Sequence, residues 1–331
     1  MADSRIFQPF RLRPAIKDYI WGGTRLRDEY GKKSSLERLA ESWELSCHPD
    51  GMSVIDSGIC EGMTLGEYIE RYPAQAGSVC RDMPFFPVLV KLIDARNDLS
   101  VQVHPDDEYA LEHENSYGKT EMWYVIDCEP GAELVYGFKE RLTREQFREA
   151  IDNGTLMELV NRVPVKKGDT FFIPSGTLHA IGRGMLIAEI QQNSNITYRV
   201  YDYGRLGADG KPRELHTEKA IEVTCLAPPP EQPEQSIHES ETGAAVRELA
   251  QCRYFRVTEH DINGSTQIST GDTSFGHILV IEGSAVLSGH DFSLDIKKGD
   301  SIFLPAGCGM SSISGRCRII HTAVPEDTKQ L

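Results

Sequence analysis

The chain has 331 residues, 40% of them hydrophobic, with 50 Asp and Glu against 35 Lys and Arg for a formal net charge of -15. That length accommodates two domains with real cores, and the acidic balance argues against nucleic acid as a partner. No apolar run long enough to span a membrane occurs, no apolar leader opens the chain, and eight cysteines without a Cys-x-x-Cys pair fit reduced thiols, so a soluble cytoplasmic protein with no membrane partner is expected.

In chain order, Pro9 and Pro14 precede Trp21-Gly22-Gly23, which is too generic to signal a nucleotide loop, and a charged helix-like stretch over 25–40 follows. Residues 41–46 alternate as a strand. Residues 64–71 predict a short helix with Thr64 as N-cap and Glu67 at capping-box spacing. Residues 87–93 form a continuous apolar strand holding one charge, Lys91, whose ammonium is costly there unless it faces a cavity or a partner. Apolar and polar residues alternate over 99–104, sending Gln102 and His104 to one face and Val101 and Val103 to the other. Glu121 opens another strand through Ile126, and Lys119 shares its face if that strand extends back. Residues 143–160 predict one or two short helices, with Thr143 and Gln146 as a second capping box. His179 follows the strand-like Phe171–Pro174 across a Ser175-Gly176 turn. Strands resume over 184–203, with Thr197, Arg199 and Tyr201 on one face, and a helix is expected over 216–223. The proline-rich segment 227–235 cannot form regular structure and marks a boundary, beyond which 252–325 holds many short strands.

Gln102, His104, Glu121 and His179 make a mixed N/O set that suits a divalent transition metal and leaves a coordination position open. Their order and spacing resemble a cupin metal site. A degenerate repeat supports that architecture: residues 166–176 recur at 297–307 with seven of eleven positions identical. The offset sets Met310 against His179, and matching 124–126 with 279–281 sets Gly276 against Glu121. His277 and His290 lie nearby, but neither occupies a ligand position. Few long helices and many turn-bounded strands argue for closed antiparallel barrels. The expected fold is therefore mainly β, with two cupin-type jelly-roll barrels, the first metal-binding and the second degenerate. The expected division is 1–227 as the N-terminal region plus catalytic barrel, 228–242 as linker, and 243–331 as the second barrel.

The segments 21–23, 40–44, 87–91, 99–105, 118–124, 173–180 and 195–202 together give a chain that resembles the type I mannose-6-phosphate isomerases in their short bacterial form. The resemblance implies one zinc ion per chain held by Gln102, His104, Glu121 and His179, with Arg199 as the catalytic arginine and Lys91 and Lys119 contacting a sugar phosphate. It implies interconversion of mannose 6-phosphate and fructose 6-phosphate through a cis-enediolate, by a monomer or a homodimer. Longer members carry a helical insertion that this chain lacks or reduces to 143–160. The proton-transferring base stays open among Lys119, a zinc-bound water, Asp106, Asp107 and Glu189. Two other readings remain: an Fe(II)-dependent cupin dioxygenase, since two His and a carboxylate also serve iron, and a non-catalytic sugar-phosphate-binding cupin.

Overall fold

The structure is a computed structural model and describes residues 4–81, 83–207, 210–232, 237–239 and 243–326. Its strands form three antiparallel sheets. A six-stranded sheet runs in the order Thr170–Ile173, Glu121–Cys128, Met185–Gln192, Val88–Ala95, Glu41–Leu45, Ala15–Lys17. A five-stranded sheet runs Tyr198–Tyr201, Val101–Val103, His179–Ala180, Glu133–Phe138, Val160–Pro164. These two sheets face each other across a core that includes Ile93, Trp123, Ile187, Leu134 and Tyr136. The outer face of the five-stranded sheet is covered by the helices Arg144–Asp152, Leu156–Leu159 and Thr217–Val223, which contribute Phe147, Leu156 and Ala220.

The third, nine-stranded sheet holds the C-terminal half, including the long strands Arg256–Thr270, Gly276–Ser288 and Gly309–Ala323. It also takes in Phe10–Arg13 and Val54–Ile55 from the beginning of the chain: Phe10 pairs with Phe303, and Leu12 with both Ser301 and Ile55. The expected linker, 228–242, carries a further short strand, Ile237–Glu239, on Ala244–Gln251; the remainder of 233–242 lies outside the described residues. One hydrophobic core joins the halves, packing Val90, Leu92, Met122, Tyr124 and Ala188 of the six-stranded sheet against Phe255, Phe275, Phe303 and Ile320. The six-stranded sheet is thus buried on both faces. This is why Val88–Ala95 reads as an unbroken apolar run and not as an alternation.

Two expectations about shape need correction. Among the described residues the sheets do not close into hydrogen-bonded barrels; the two N-terminal sheets are open paths, the third is an open path from which Ser293–Lys297 branches, and the jelly-roll layers are held together by side-chain packing. The helix expected over 25–40 extends only from Arg25 to Asp28. Gly31 then takes the left-handed φ of 63°, and Lys32 leaves the helical path to bury its ammonium against Glu44, 2.6 Å from Oε1, and the Gly299 carbonyl. The two capping boxes form as the spacing indicates, Thr64 with Glu67 and Thr143 with Gln146.

The repeat is present bond for bond. Glu121 pairs with Ile173 and Tyr124 with Thr170; their counterparts Gly276 and Leu279 pair with Leu304 and Ser301. In both copies the Gly-Asp turn clips onto the neighbouring strand. Val125 donates to the Asp169 carbonyl at 2.9 Å, and Val280 donates to the Asp300 carbonyl at 2.9 Å.

Candidate metal centre and substrate cavity

His104 sits one residue beyond the strand Val101–Val103, and local hydrogen bonds fix it there. Its carbonyl accepts from Gly176 N at 2.8 Å, and the Pro105 carbonyl accepts from Lys119 N at 2.9 Å. The turn before His179 and the approach to Glu121 are therefore tied to the same two residues. Gly118 permits that closeness, since a Cβ there would lie 2.3 Å from the Asp106 carbonyl carbon. His179 pairs across the ladder with Gln102.

The outcome is a buried cluster in which one donor atom each from His104, Glu121 and His179 lies within 4.8 Å of the others. His179 Nε2 is 3.3 Å from Glu121 Oε1, and His104 Nε2 is 3.7 Å from Glu121 Oε2. Both imidazoles spend Nδ1–H on backbone carbonyls, that of Ile196 at 2.7 Å and that of Thr177 at 2.8 Å. This bond sets the tautomer and leaves each Nε2 lone pair turned inward, as second-shell bonds do around metals. Burial pushes the His179 pKa down to about 4 and that of His104 well below its usual value, so both rings are neutral donors. His179 Nε2 and Glu121 Oε1 have no hydrogen-bond partner although fully buried. Unsatisfied, inward-facing N and O atoms of this kind fit a divalent cation. Gln102 lines the adjoining cavity, with its Oε1 3.4 Å from Ser100 Oγ.

That cavity, of about 280 Å³, brings together Lys91, Lys119, Gln102 and Arg199 with four groups to which sequence patterns assigned no place in it: Tyr19, Trp21, Glu41 and Arg213. Its floor is one face of the six-stranded sheet. Lys91 pairs with Glu189, Glu189 with Trp123, and Trp43 with Lys91, so these side chains share a face, and Glu41 and Glu121 join them at period two. Charges alternate across it. Lys91 Nζ lies 3.0 Å from Glu189 Oε1 and 3.7 Å from Glu41 Oε2; Lys119 Nζ lies 2.9 Å from Glu121 Oε2 and 3.7 Å from Glu189 Oε1. Burial opposes ionisation of Glu189, but Lys119 and Lys91 outweigh it and hold this carboxyl well below its usual range. At Glu121 burial prevails and raises the pKa. Three carboxylates against two ammonium groups leave this face with one negative charge in excess, which a divalent cation would reverse.

Arg199 pairs with Gln102 and reaches the same cavity beside Thr197. Tyr201 does not accompany them. The pairing shifts between Arg199 and Tyr201, and the Tyr201 ring packs on Tyr203 with centroids 4.9 Å apart. Asp106 and Asp107 are committed elsewhere: Asp106 caps the helix Asp107–His113, and Asp107 accepts from Gly118 N, Gln192 and Tyr254.

The second half holds no counterpart of the cluster among the described residues. Gly276 supplies no ligand, Met310 is exposed, His277 is buried with Nε2 on Ser301 Oγ, and His290 is exposed beside Asp291. A larger groove, about 1050 Å³, runs between 11–33 and 284–301, where Arg11 faces Asp300 and Lys298 faces Glu29. Its basic and acidic side chains nearly offset one another, and none of the clustered donors reaches it.

Residues 9–135 match the phosphomannose isomerase type I catalytic domain, and residues 245–324 match the mannose-6-phosphate isomerase cupin domain. The mannose-6-phosphate isomerase ManA of Bacillus subtilis is 42% identical over 317 residues, covering 95% of this chain and 99% of the relative. The chain belongs to the type I phosphomannose isomerase family. A crystal structure of the mannose 6-phosphate isomerase from Bacillus subtilis superposes with a TM-score of 0.90 at 41% identity, covering 95% of this chain and 99% of that one. A zinc-bound holo form of a mannose 6-phosphate isomerase shares the fold at a TM-score of 0.77 and 19% identity, covering 95% of this chain and 99% of that one. The chain thus matches both a catalytic-domain and a cupin-domain model of the family.

Proposed function

We propose that this chain interconverts mannose 6-phosphate and fructose 6-phosphate, with zinc held by Gln102, His104, Glu121 and His179 and residues 1–227 carrying the chemistry. The observation that carries the reading is the pair of buried, tautomer-fixed imidazoles turned on one carboxylate, at the edge of a cavity lined by Lys91, Lys119, Glu189 and Arg199. The names of the relatives supply the substrate, and the zinc-bound relative supplies the metal.

When bound, zinc provides Lewis acidity and a template for sugar oxygens. The proton leaves C2 of the open-chain aldose and returns to C1, while a hydroxyl proton moves from O2 to O1. Negative charge develops on the enediolate between these transfers. Arg199, half-buried, with its Nε buried and unpartnered and no carboxylate hydrogen-bonded to it, supplies a preorganised donor for that charge. Lys91 and Lys119 are held by the carboxylates around them, so they meet sugar oxygens without reorganising. Among the residues considered as base, Glu189 and Lys119 face the cavity, whereas Asp106 and Asp107 hold the helix and the loop. Glu189 is held ionised by Lys119 and Lys91, which also weaken it as a base, and Lys119 lies between it and Glu121.

The test is turnover of fructose 6-phosphate with and without a chelator. Activity should be lost on chelation and restored by stoichiometric zinc, with no dependence on oxygen. Oxygen consumption would instead establish the iron dioxygenase, and sugar-phosphate binding without turnover the non-catalytic cupin. Arg199→Lys should lower kcat about a hundredfold or more with little change in KM, since lysine keeps the charge but loses the planar fork. Its zinc content should stay normal, and near-normal turnover would take Arg199 out of the mechanism.

A further inference from the structure

The connection between the strand Tyr198–Tyr201 and the helix Thr217–Val223 brings a second guanidinium, Arg213, into the cavity beside Arg199. It is held there by Asp202, which is buried and serves two arginines at once. Arg213 Nε donates to Asp202 Oδ2 at 2.7 Å and its Nη2 to Oδ1. Arg205 Nη2 donates to the same Oδ1, its Nε to the Asp202 carbonyl at 3.2 Å, and its Nη1 to the Asp98 carbonyl. Burial opposes the charge of Asp202, but the bonds from Arg213 and Arg205 overcome it and lower its pKa.

The two arginines are spent differently. Each nitrogen of Arg205 is engaged, and it does not line the cavity. Arg213 commits one edge to Asp202 and keeps Nη1 out of any hydrogen bond among the described residues. The loop is stiffened where it delivers Arg213: Leu206 bridges to Pro212, and Gly207 donates to the Lys211 carbonyl at 2.7 Å. Arg199 lies next to it, with Nη1 on the Glu214 carbonyl at 2.8 Å and Nε buried without a partner. Three guanidiniums against Asp202 and the exposed Glu214 leave this end of the cavity net positive, in a chain whose net charge is -15. The opposite end, before metal, carries one negative charge. Such separation is unfavourable in a partly dry site unless an anion completes it.

We propose that Arg213, aimed by Asp202, anchors the phosphate group of the substrate. The assignment rests on the isomerase reading for the identity of the sugar. A guanidinium edge takes two phosphate oxygens at once, so the phosphate docks at the arginine end and directs the C1 and C2 oxygens towards His104, Glu121 and His179. Asp202 is a positioning residue, and Arg205 is its counterweight.

The experiment compares wild type with Arg213→Gln and Arg213→Lys in zinc-loaded protein. Steady-state kinetics on mannose 6-phosphate are read beside competitive inhibition by inorganic phosphate. Arg213→Gln should raise KM about tenfold or more and weaken inhibition by inorganic phosphate by a similar factor, with kcat changed less than about threefold. Arg213→Lys should fall between the two, because it restores charge without the fork. Unchanged KM and unchanged phosphate inhibition in both variants would overturn the assignment. So would a fall in kcat with phosphate inhibition intact, which is the mark of a structural role. If calorimetry shows that wild type binds inorganic phosphate, that Arg213→Gln binds it more weakly, and that neither turns over sugar phosphate, the anion site stands and the isomerase reading falls.

Discussion

Replacing His179 with alanine is expected to reduce bound zinc from one equivalent to a small fraction and to lower kcat by about a thousandfold or more, while the protein remains folded. The imidazole is fully buried and its Nδ1–H is fixed on the Thr177 carbonyl, which holds Nε2 turned inward, and alanine removes that donor. The fold survives because its cores do not depend on the centre. One joins the six-stranded sheet to the C-terminal half and another fills the space between the two N-terminal sheets. Metal analysis by mass spectrometry and a thermal melt with and without added zinc would check this. Wild type should melt higher in zinc, because a ligand that binds only the folded state stabilises it, and His179→Ala should show no such rise. A variant that kept stoichiometric zinc would remove His179 from the ligand set.

Much of the candidate centre was legible because its signals are local. A Gly-Asp turn, a capping box and period-two alternation each specify their geometry within a few residues. Accordingly Thr64, Thr143 and the paired turns at 166–169 and 297–300 form the bonds their spacing implies. Lys91 stood out for a different reason, as one charge in an otherwise apolar strand, and it is indeed paired twice. What the residues could not convey is which distant edge a strand joins. Phe10–Arg13 pairs with a strand near the other end of the chain, and no local pattern encodes that choice. The open sheets have the same origin, since alternation sets the faces of a strand but not whether the first and last strands of a sheet meet. Arg213 escaped notice because it lies in an irregular connection after Pro212. Glu41 did so because the alternation over 41–46 separates two faces without saying which one meets the site, and the strand is buried on both.

The face carrying Lys91 leads to the second large effect. Lys91→Met should lower the unfolding free energy of the metal-free protein by about 3–5 kcal/mol at pH 7, read as a fall in the urea midpoint. The side chain is 3% exposed, lies between Glu189 and Glu41, and places its ammonium 5.2 Å from the centre of the Trp43 ring. Burial disfavours its charge, but Glu189 and Glu41 prevail and raise its pKa above the ordinary value. A lysine whose pKa rises on folding contributes its full stabilisation below the unfolded pKa of about 10.4, and that contribution fades only as pH climbs through the folded value. Measurement at pH 7 therefore captures all of it. The loss should come less from the missing attraction than from leaving the buried carboxyl groups of Glu41 and Glu189 with Lys119 as the remaining ammonium. Adding Glu189→Gln to Lys91→Met should accordingly recover about 1 kcal/mol or more, a non-additivity that a double-mutant cycle reads directly. Working in chelator keeps zinc binding out of the comparison. A cost below about 1 kcal/mol for Lys91→Met would place this pair in the range of solvated surface bridges and would mean that water, and not the carboxylates, solvates the ammonium.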